Sequence, residues 1–434
     1  MRGAPHPRRP RGTASGSSSS TPPAPRGGGP TRGKSAAPPG NGGPPPGWES
    51  LLGESGAKRL TEVEAELAAG ATTAQAGSRL RAEGVAPDEV AALLTQADLR
   101  TKARAKFGEA ATRMLFTPAG LEQATRAPVA ALHARRFAAA GCTTVADLGC
   151  GLGSESLALL ASGVRPHPVE LDPFTARLAE HNLGVPVAVA DAETAALEDV
   201  DGVFLDPARR TTGHRDTRRL TSPDDYSPSL DFAFGLAERF PTGVKLGPGF
   251  DRELIPGRAE AQWISVDGQL VETGLWFGSV ARPGIARAAL LLQGGQAHEL
   301  TASADSPDPE VRPLGRYLFE PDGAVIRARL IGLLAERIGA GLLSEGIAYL
   351  TGDAPVETAF ARAFRVVEEL PVREKELRRA LAEREIGTLE IKKRGADADP
   401  AALRARLRLK GSRSATLFLT RAAGRHIALL AERC

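Results

Sequence analysis

Residues 145–156 read VADLGCGLGSES, a β-rich run into an acid, Asp147, followed by glycines at 149, 151 and 153 and then a helical pattern. Glycines at such a strand-to-helix turn let the backbone tighten and let a ligand approach the main chain closely. A dinucleotide loop of the form G-x-G-x-x-G needs a third glycine at 154, where this chain has Ser. The shorter loop suits a ligand without a pyrophosphate.

Working outward from this loop, short β-rich runs alternate with helical ones: TTVADLG, SESLALLASG, PHPVEL, PFTARLAEHNL, PVAVAD and DGVFLD. This alternation predicts an α/β fold, a doubly wound parallel sheet with helices on both faces. Ligands of such sheets sit at the carboxyl ends of the strands. Four predicted strands end there in an acid: Asp147, Glu170, Asp191 and Asp206. Glu170 lies 17 positions past Gly153, about the spacing at which a carboxylate reaches a ribose. Asp172 reads instead as the N-cap of the helix that begins at Pro173. Asp191 is placed either to accept from an adenine amino group or to cap its own loop. The fifth strand, TGVKLGPGF, leaves Lys245, Pro248 and Gly249 as rim positions with no assignable role.

The ordered set DLGCGLG, VEL, ADA and LDPAR, from about Thr143 to Ala289, resembles the class I S-adenosylmethionine-dependent methyltransferases. The resemblance implies a Rossmann-like methyltransferase sheet and S-adenosyl-L-methionine as cofactor. Asp147, Gly149, Gly151 and Gly153 would hold its methionine part, Glu170 its ribose and Asp191 its adenine. Asp206, Pro207 and Arg209 would face the methyl acceptor as catalytic residues. Enzymes of this class that methylate nucleic-acid amino groups carry Pro-Pro and an aromatic after the acid; here positions 208 and 209 are Ala and Arg. The string DPARRTTG is also similar to those of RNA 5-methyluridine enzymes, yet TGVKLGPGF lacks their cysteine nucleophile. Arg209 and Arg210 would guide a phosphate or stack on a base, or pair with Asp224, Asp225 or Glu253. Tyr226 is the aromatic placed to replace the missing stacking residue, or is wedged against its loop.

The chain has 434 residues, 42% of them hydrophobic, and a net charge of +3. No apolar run approaches the roughly 18 residues of a membrane-spanning helix. Cys142, Cys150 and Cys434 fit neither a disulfide framework nor a four-ligand zinc site, which leads to the expectation of a reducing, cytoplasmic location and no metal. The neutral total conceals segregation. Residues 1–47 carry seven basic residues and no acid in a Gly, Pro and Ser background, and read as a disordered basic tail rather than a transit peptide. Residues 371–434 hold 16 basic and 8 acidic residues, so the middle of the chain is acidic.

Residues 48–140 show helical spacing and are expected to form a helical cap of four or five helices, with Thr117-Pro118 starting one of them. In KARAKFG, Lys102, Arg104 and Lys106 read as a solvated face. The methyltransferase domain is expected over 141–302, and a linker over 303–310 leads to an α+β domain over 311–434. There Lys392, Lys393 and Arg394 end a strand, and i to i+4 spacing on the following helix pairs Arg404 with Arg408 and Arg406 with Lys410. From about Leu314 to Cys434, with IGTLEIKKRG at its centre, the chain is similar to the THUMP-like domain that follows a methyltransferase domain in a bacterial family. True THUMP modules bind structured RNA, so the resemblance implies an RNA-modification enzyme acting on tRNA or rRNA, with Lys392, Lys393, Arg394, Arg404 and Arg408 as RNA-binding residues. The alternatives are a small-molecule or protein methyltransferase, or a non-catalytic RNA-binding protein. The sequence assigns no oligomeric state.

Overall fold

The computed structural model describes residues 44–209 and 226–434, with the backbone alone at Arg209. Most of the expected tail, and the residues Arg210, Asp224 and Asp225, lie outside the described residues, as does the Arg209 side chain.

Five helices come first: α1 (Glu54–Ala68), α2 (Thr73–Ala82), α3 (Pro87–Phe107), α4 (Pro118–Gln123) and α5 (Ala127–Ala139). Thr117 caps α4 as expected, its hydroxyl accepting from the Gly120 amide at 2.9 Å. The cap core of Leu60, Val63, Leu93 and Phe116 takes in Leu152 of the glycine loop and Leu178. Asn182 ties the two parts together, donating to the carbonyls of Leu115 and Leu152 at 3.0 and 3.1 Å. Lys106 departs from the solvated reading: its ammonium donates to the carbonyls of Leu121, Glu122 and Ala124 at the end of α4. Unsatisfied carbonyls at a helix C-terminus are natural partners for a cation.

The central sheet then forms from β1 (Thr144–Leu148), α6 (Ser154–Ala161), β2 (Arg165–Glu170), α7 (Pro173–Leu183), β3 (Ala188–Val189) and β4 (Gly202–Leu205). A short pair, β5 (Ala208–Arg209) with β6 (Tyr226–Ser227), stands outside the sheet. After α8 (Leu230–Leu236) come β7 (Thr242–Leu246), β8 (Glu260–Val266), β9 (Gln269–Phe277), β10 (Arg287–Gln293) and β11 (Gln296–Ala302). The strand order is β11-β10-β8-β9-β7-β4-β1-β2-β3. The strands from β3 to β7 are parallel, as expected, whereas β9 and β11 run antiparallel to their neighbours. β1 has β2 on one side and β4 on the other, so the chain order reverses there and opens a crevice at the carboxyl edge.

Between β7 and β8 the chain makes only a 3₁₀ turn, Arg252–Leu254, where a crossover helix would ordinarily cover the sheet. The cover comes from later in the chain. Beyond β12 (Tyr317–Pro321), the helices α9 (Gly323–Arg327) and α10 (Ile331–Ile338) bury Val325, Leu334 and Ile338 in one core with Trp263, Phe277 and Leu291. The stretch expected as a linker therefore does not separate two cores. The remaining elements are β13 (Gly341–Ser344), β14 (Ile347–Gly352), β15 (Ala361–Leu370), α11 (Glu374–Glu383), β16 (Ile386–Lys393), α12 (Pro400–Leu407), β17 (Arg413–Ala422) and β18 (Arg425–Arg433). They form a seven-stranded sheet, β13-β14-β12-β15-β18-β17-β16, in which only β16 and β17 pair in parallel. Asp399 caps α12, and β17 and β18 form the expected hairpin at Ala423-Gly424.

Candidate active site

Each strand end contributes to one cavity of about 690 Å³ at the carboxyl edge of the central sheet. Asp147, Gly149, Gly151, Glu170, Asp191, Asp206 and Pro207 line it together, and Gly153 is not among the lining residues. Gly149 and Gly151 take φ of +82° and +55°, and a Cβ at either would meet no atom within 4 Å, so the loop presents bare backbone to open space. Gly153 serves packing instead: a Cβ there would come within 2.9 Å of Leu183.

Asp147 is buried. Its Oδ2 accepts from the Ser156 amide at 3.1 Å and the Ser156 hydroxyl at 2.6 Å, at the start of α6. Burial pushes its carboxyl up to about 7, with the nearby Glu155 and Asp206 charges adding to the rise against the Ser156 bonds. Glu170 accepts from the Gly151 amide through Oε2 and from the Asp172 amide through Oε1, both at 3.0 Å, and burial raises its pKa too. These two amides fix the carboxylate while leaving lone pairs for a ligand. Asp172 caps α7 as expected, accepting from the Thr175 amide at 2.8 Å. Asp191 also caps a turn, accepting from the Glu193 amide at 2.9 Å, while lining the cavity.

Lys245 is not a mere rim residue. It is the penultimate residue of β7, beside the point where Asp206 follows β4, and its ammonium is ion-paired with the Asp206 carboxylate and donates to the Gln123 carbonyl at 3.3 Å. Burial alone would lower its pKa, but the Asp206 and Glu272 carboxylates outweigh that and hold the ammonium charged.

Sequence reading missed the layer beneath. His133 of α5 is buried between Phe204 and Trp276. Its Nδ1 lies 3.2 Å from Glu155, which lines the cavity, and its Nε2 lies 2.9 Å from Glu272 of β9. The two carboxylates overcome the effect of burial and hold the imidazole pKa at about 10, making it a cation. One signal was present: Glu272 is a single acid in the apolar strand QLVETGLWF, and a lone buried charge requires a partner. Tyr226 is wedged, 5% exposed, with its ring edge-on to Phe250.

The cavity satisfies the demands of S-adenosylmethionine on this chain's own evidence. It is roomy, has a bare glycine backbone and paired carboxylates, and contains a buried Ser154 hydroxyl without a hydrogen-bond partner among the described residues. Among the described residues no group of His, Cys, Asp or Glu is arranged to hold a metal ion, and no helix is long and apolar enough to cross a membrane.

The residues expected to bind RNA differ in exposure and in partners. The Lys392 ammonium is ion-paired with Glu320 at 2.8 Å and Glu390 at 3.1 Å, and only 12% of its side chain is exposed. Arg394 lies over the Tyr349 ring at 5.3 Å. The expected i to i+4 face is corrected, because α12 ends at Leu407 and Arg408 takes a left-handed conformation, φ +48°. Arg406 is ion-paired with Glu374, and Arg404 donates to the Leu389 carbonyl while remaining exposed. Lys393 and Arg408 are exposed.

Comparison with known proteins agrees with this geometry. Residues 361–433 match the family described as THUMP domain-like, and residues 46–103 match a domain of unknown function, DUF8688. The chain is 37% identical over 337 residues to an uncharacterized S-adenosylmethionine-dependent methyltransferase of Mycobacterium tuberculosis, in both strain CDC 1551 / Oshkosh and strain H37Rv. That match covers 74% of this chain and 90% of the relative. The crystal structure of a "putative methyltransferase" from Porphyromonas gingivalis W83 shares the fold, with a TM-score of 0.65 over 87% of this chain and 98% of that one at 22% identity. The chain belongs to the S-adenosylmethionine-dependent methyltransferases.

Proposed function

We propose that this enzyme methylates a base of structured RNA, tRNA or rRNA, in the reducing cytoplasm that its free cysteines suit. The reading divides the chain into a tail (1–47), a cap (48–140), a methyltransferase domain (141–302) and a THUMP-like domain (311–434). Asp147 and the backbone of Gly149, Gly151 and Gly153 take the amino-acid end of S-adenosylmethionine, Glu170 its ribose and Asp191 its adenine. When bound, the cofactor supplies an electrophilic methyl carbon on a sulfonium centre. The chain's own task is then to orient the acceptor within about 3 to 3.5 Å of that carbon and to exclude water, a task this reading gives to Asp206, Pro207 and Arg209.

The observation that carries the RNA reading is the shared core. Helices α9 and α10, inserted between β12 and β13 of the second sheet, pack into the methyltransferase core, so the THUMP-like sheet is fixed relative to the cavity rather than tethered to it. Its exposed cations Lys393, Arg404, Arg408, Lys410 and Arg413 form no ion pair among the described residues, leaving them free to contact phosphates. The ion pairs of Lys392, Arg406 and Arg425 favour the second reading, a small-molecule or protein acceptor, because they reduce that cationic surface. Mass spectrometry of RNA nucleosides from cells with and without the gene separates the two. Loss of one methylated nucleoside is expected; an unchanged RNA profile would favour the second reading.

A further inference from the structure

Strands β4 and β7 are parallel neighbours with Leu205 opposite Val244, so Asp206, just past β4, and Lys245, the penultimate residue of β7, stand side by side at the carboxyl edge. Both line the cavity. The Lys245 stem is buried, with 13% of its side chain exposed, whereas Asp206 is more open at 36%. The ammonium spends two of its three N–H groups on Asp206 Oδ2 and the Gln123 carbonyl. Asp206 Oδ1 accepts no hydrogen bond among the described residues. A fixed donor and an open acceptor thus stand next to each other, beside the flat apolar surfaces of Pro207, Tyr226, Pro248 and Phe250.

Such a pair complements a base edge on which an N–H adjoins an acceptor. All four bases have such an edge, so hydrogen bonding alone does not choose among them; the fixed positive charge does. An ammonium against the ring nitrogen of adenine or cytosine would draw electrons from the amino group and oppose its attack on a methyl carbon. Against the carbonyl of guanine or uracil, the same ammonium stabilises the negative charge that grows on oxygen as the adjacent ring nitrogen loses its proton.

We propose that Asp206 and Lys245 are catalytic residues for methylation of a ring nitrogen in a lactam base, guanine or uracil, an inference that rests on the RNA reading above. Asp206 accepts the ring N–H proton and passes it to solvent. The electron pair left on nitrogen becomes its bond to the methyl carbon, and the pair of the broken carbon–sulfur bond stays on sulfur. Lys245 donates to the lactam oxygen throughout and remains an ammonium. The Ala208 and Arg209 that replace the usual proline and aromatic fit this account, since no exocyclic amino group has to be gripped.

The test uses the full chain, methyl-labelled S-adenosylmethionine and unfractionated tRNA and rRNA from cells lacking the gene, followed by digestion to nucleosides. Label is expected in a ring-nitrogen-methylated guanosine or uridine. Lys245→Met should lower kcat by about 10²-fold at pH 7, with much of the loss recovered by pH 9 as the base ionises unaided. Its cofactor affinity, measured by calorimetry, should stay within about threefold, which reports that the variant is folded. Lys245→Arg, which keeps the charge, should retain more activity than Lys245→Met. Label in an adenosine, a cytidine, a ribose or a base carbon would overturn the lactam assignment and leave the RNA reading standing. A folded Lys245→Met with wild-type kcat would do the same. Label that enters protein or small molecules but no RNA would overturn both.

Discussion

Replacing His133 with Leu removes the cation in direct contact with Glu155 and Glu272 and leaves both buried carboxylates without that partner. Removing one partner from a buried ion pair typically costs about 3 to 5 kcal/mol. At about 2.1 cal/mol/K of unfolding entropy per residue, a chain of this length loses about 4 °C in Tm for a cost of about 4 kcal/mol. The loss should depend on pH in a definite direction. What the variant lacks is the stability that the histidine contributes, so the part of the drop due to it is largest at low pH. The wild type has its own slope. Its histidine is held at about 10 when folded, against an ordinary value near 6.5, so the stability it contributes is complete below about pH 6.5 and is lost as pH rises towards 10. Scanning calorimetry of both proteins at pH 5 and pH 8 measures these differences. A variant within 1 °C of the wild type at pH 5, where the histidine's contribution is complete, would refute a charged histidine lying between the two carboxylates.

The remaining predictions concern ligands. Glu170→Ala should cost on the order of 2 kcal/mol in cofactor affinity by calorimetry, since charged hydrogen bonds are lost. Asp206→Ala should leave that affinity within about threefold yet lower turnover by about 10²-fold, a loss confined to the transition state; equal losses would make it a cofactor ligand. Because the Asp147 carboxyl titrates near 7, affinity for the ammonium-bearing cofactor should rise between pH 5.5 and 8, and Asp147→Asn should flatten that profile. Substituting Lys393, Arg404 and Arg408 with Ala in a tail-free chain should reduce the logarithmic salt slope of RNA binding by roughly 2, whereas Lys392→Ala should leave it unchanged because Glu320 and Glu390 already neutralise that residue.

What the sequence made legible was local. The run from Thr143 to Asp206 shows strand, turn and helix by periodicity alone, and its carboxylates stand at strand ends because the pattern stops there. The caps at Thr117, Asp172 and Asp399 were readable for the same reason, as each acts within three residues of itself. What escaped reading depends on distance along the chain. Lys245 meets Asp206 across 39 positions because β7 pairs with β4, and His133 meets Glu272 because α5 lies against β9. The missing crossover helix after β7 is replaced by α9, whose apolar residues looked like the start of a separate domain. The basic face of α12 failed through a local cause that spacing cannot reveal: Arg408 adopts the left-handed conformation that ends the helix, in a place where glycine is usual.

The most direct test of an RNA methyltransferase is the fate of the label when purified chain, methyl-labelled S-adenosylmethionine and a whole-cell extract are combined. The account predicts acid-precipitable label that ribonuclease releases and protease does not. Label released by protease, or label that stays acid-soluble, would contradict it.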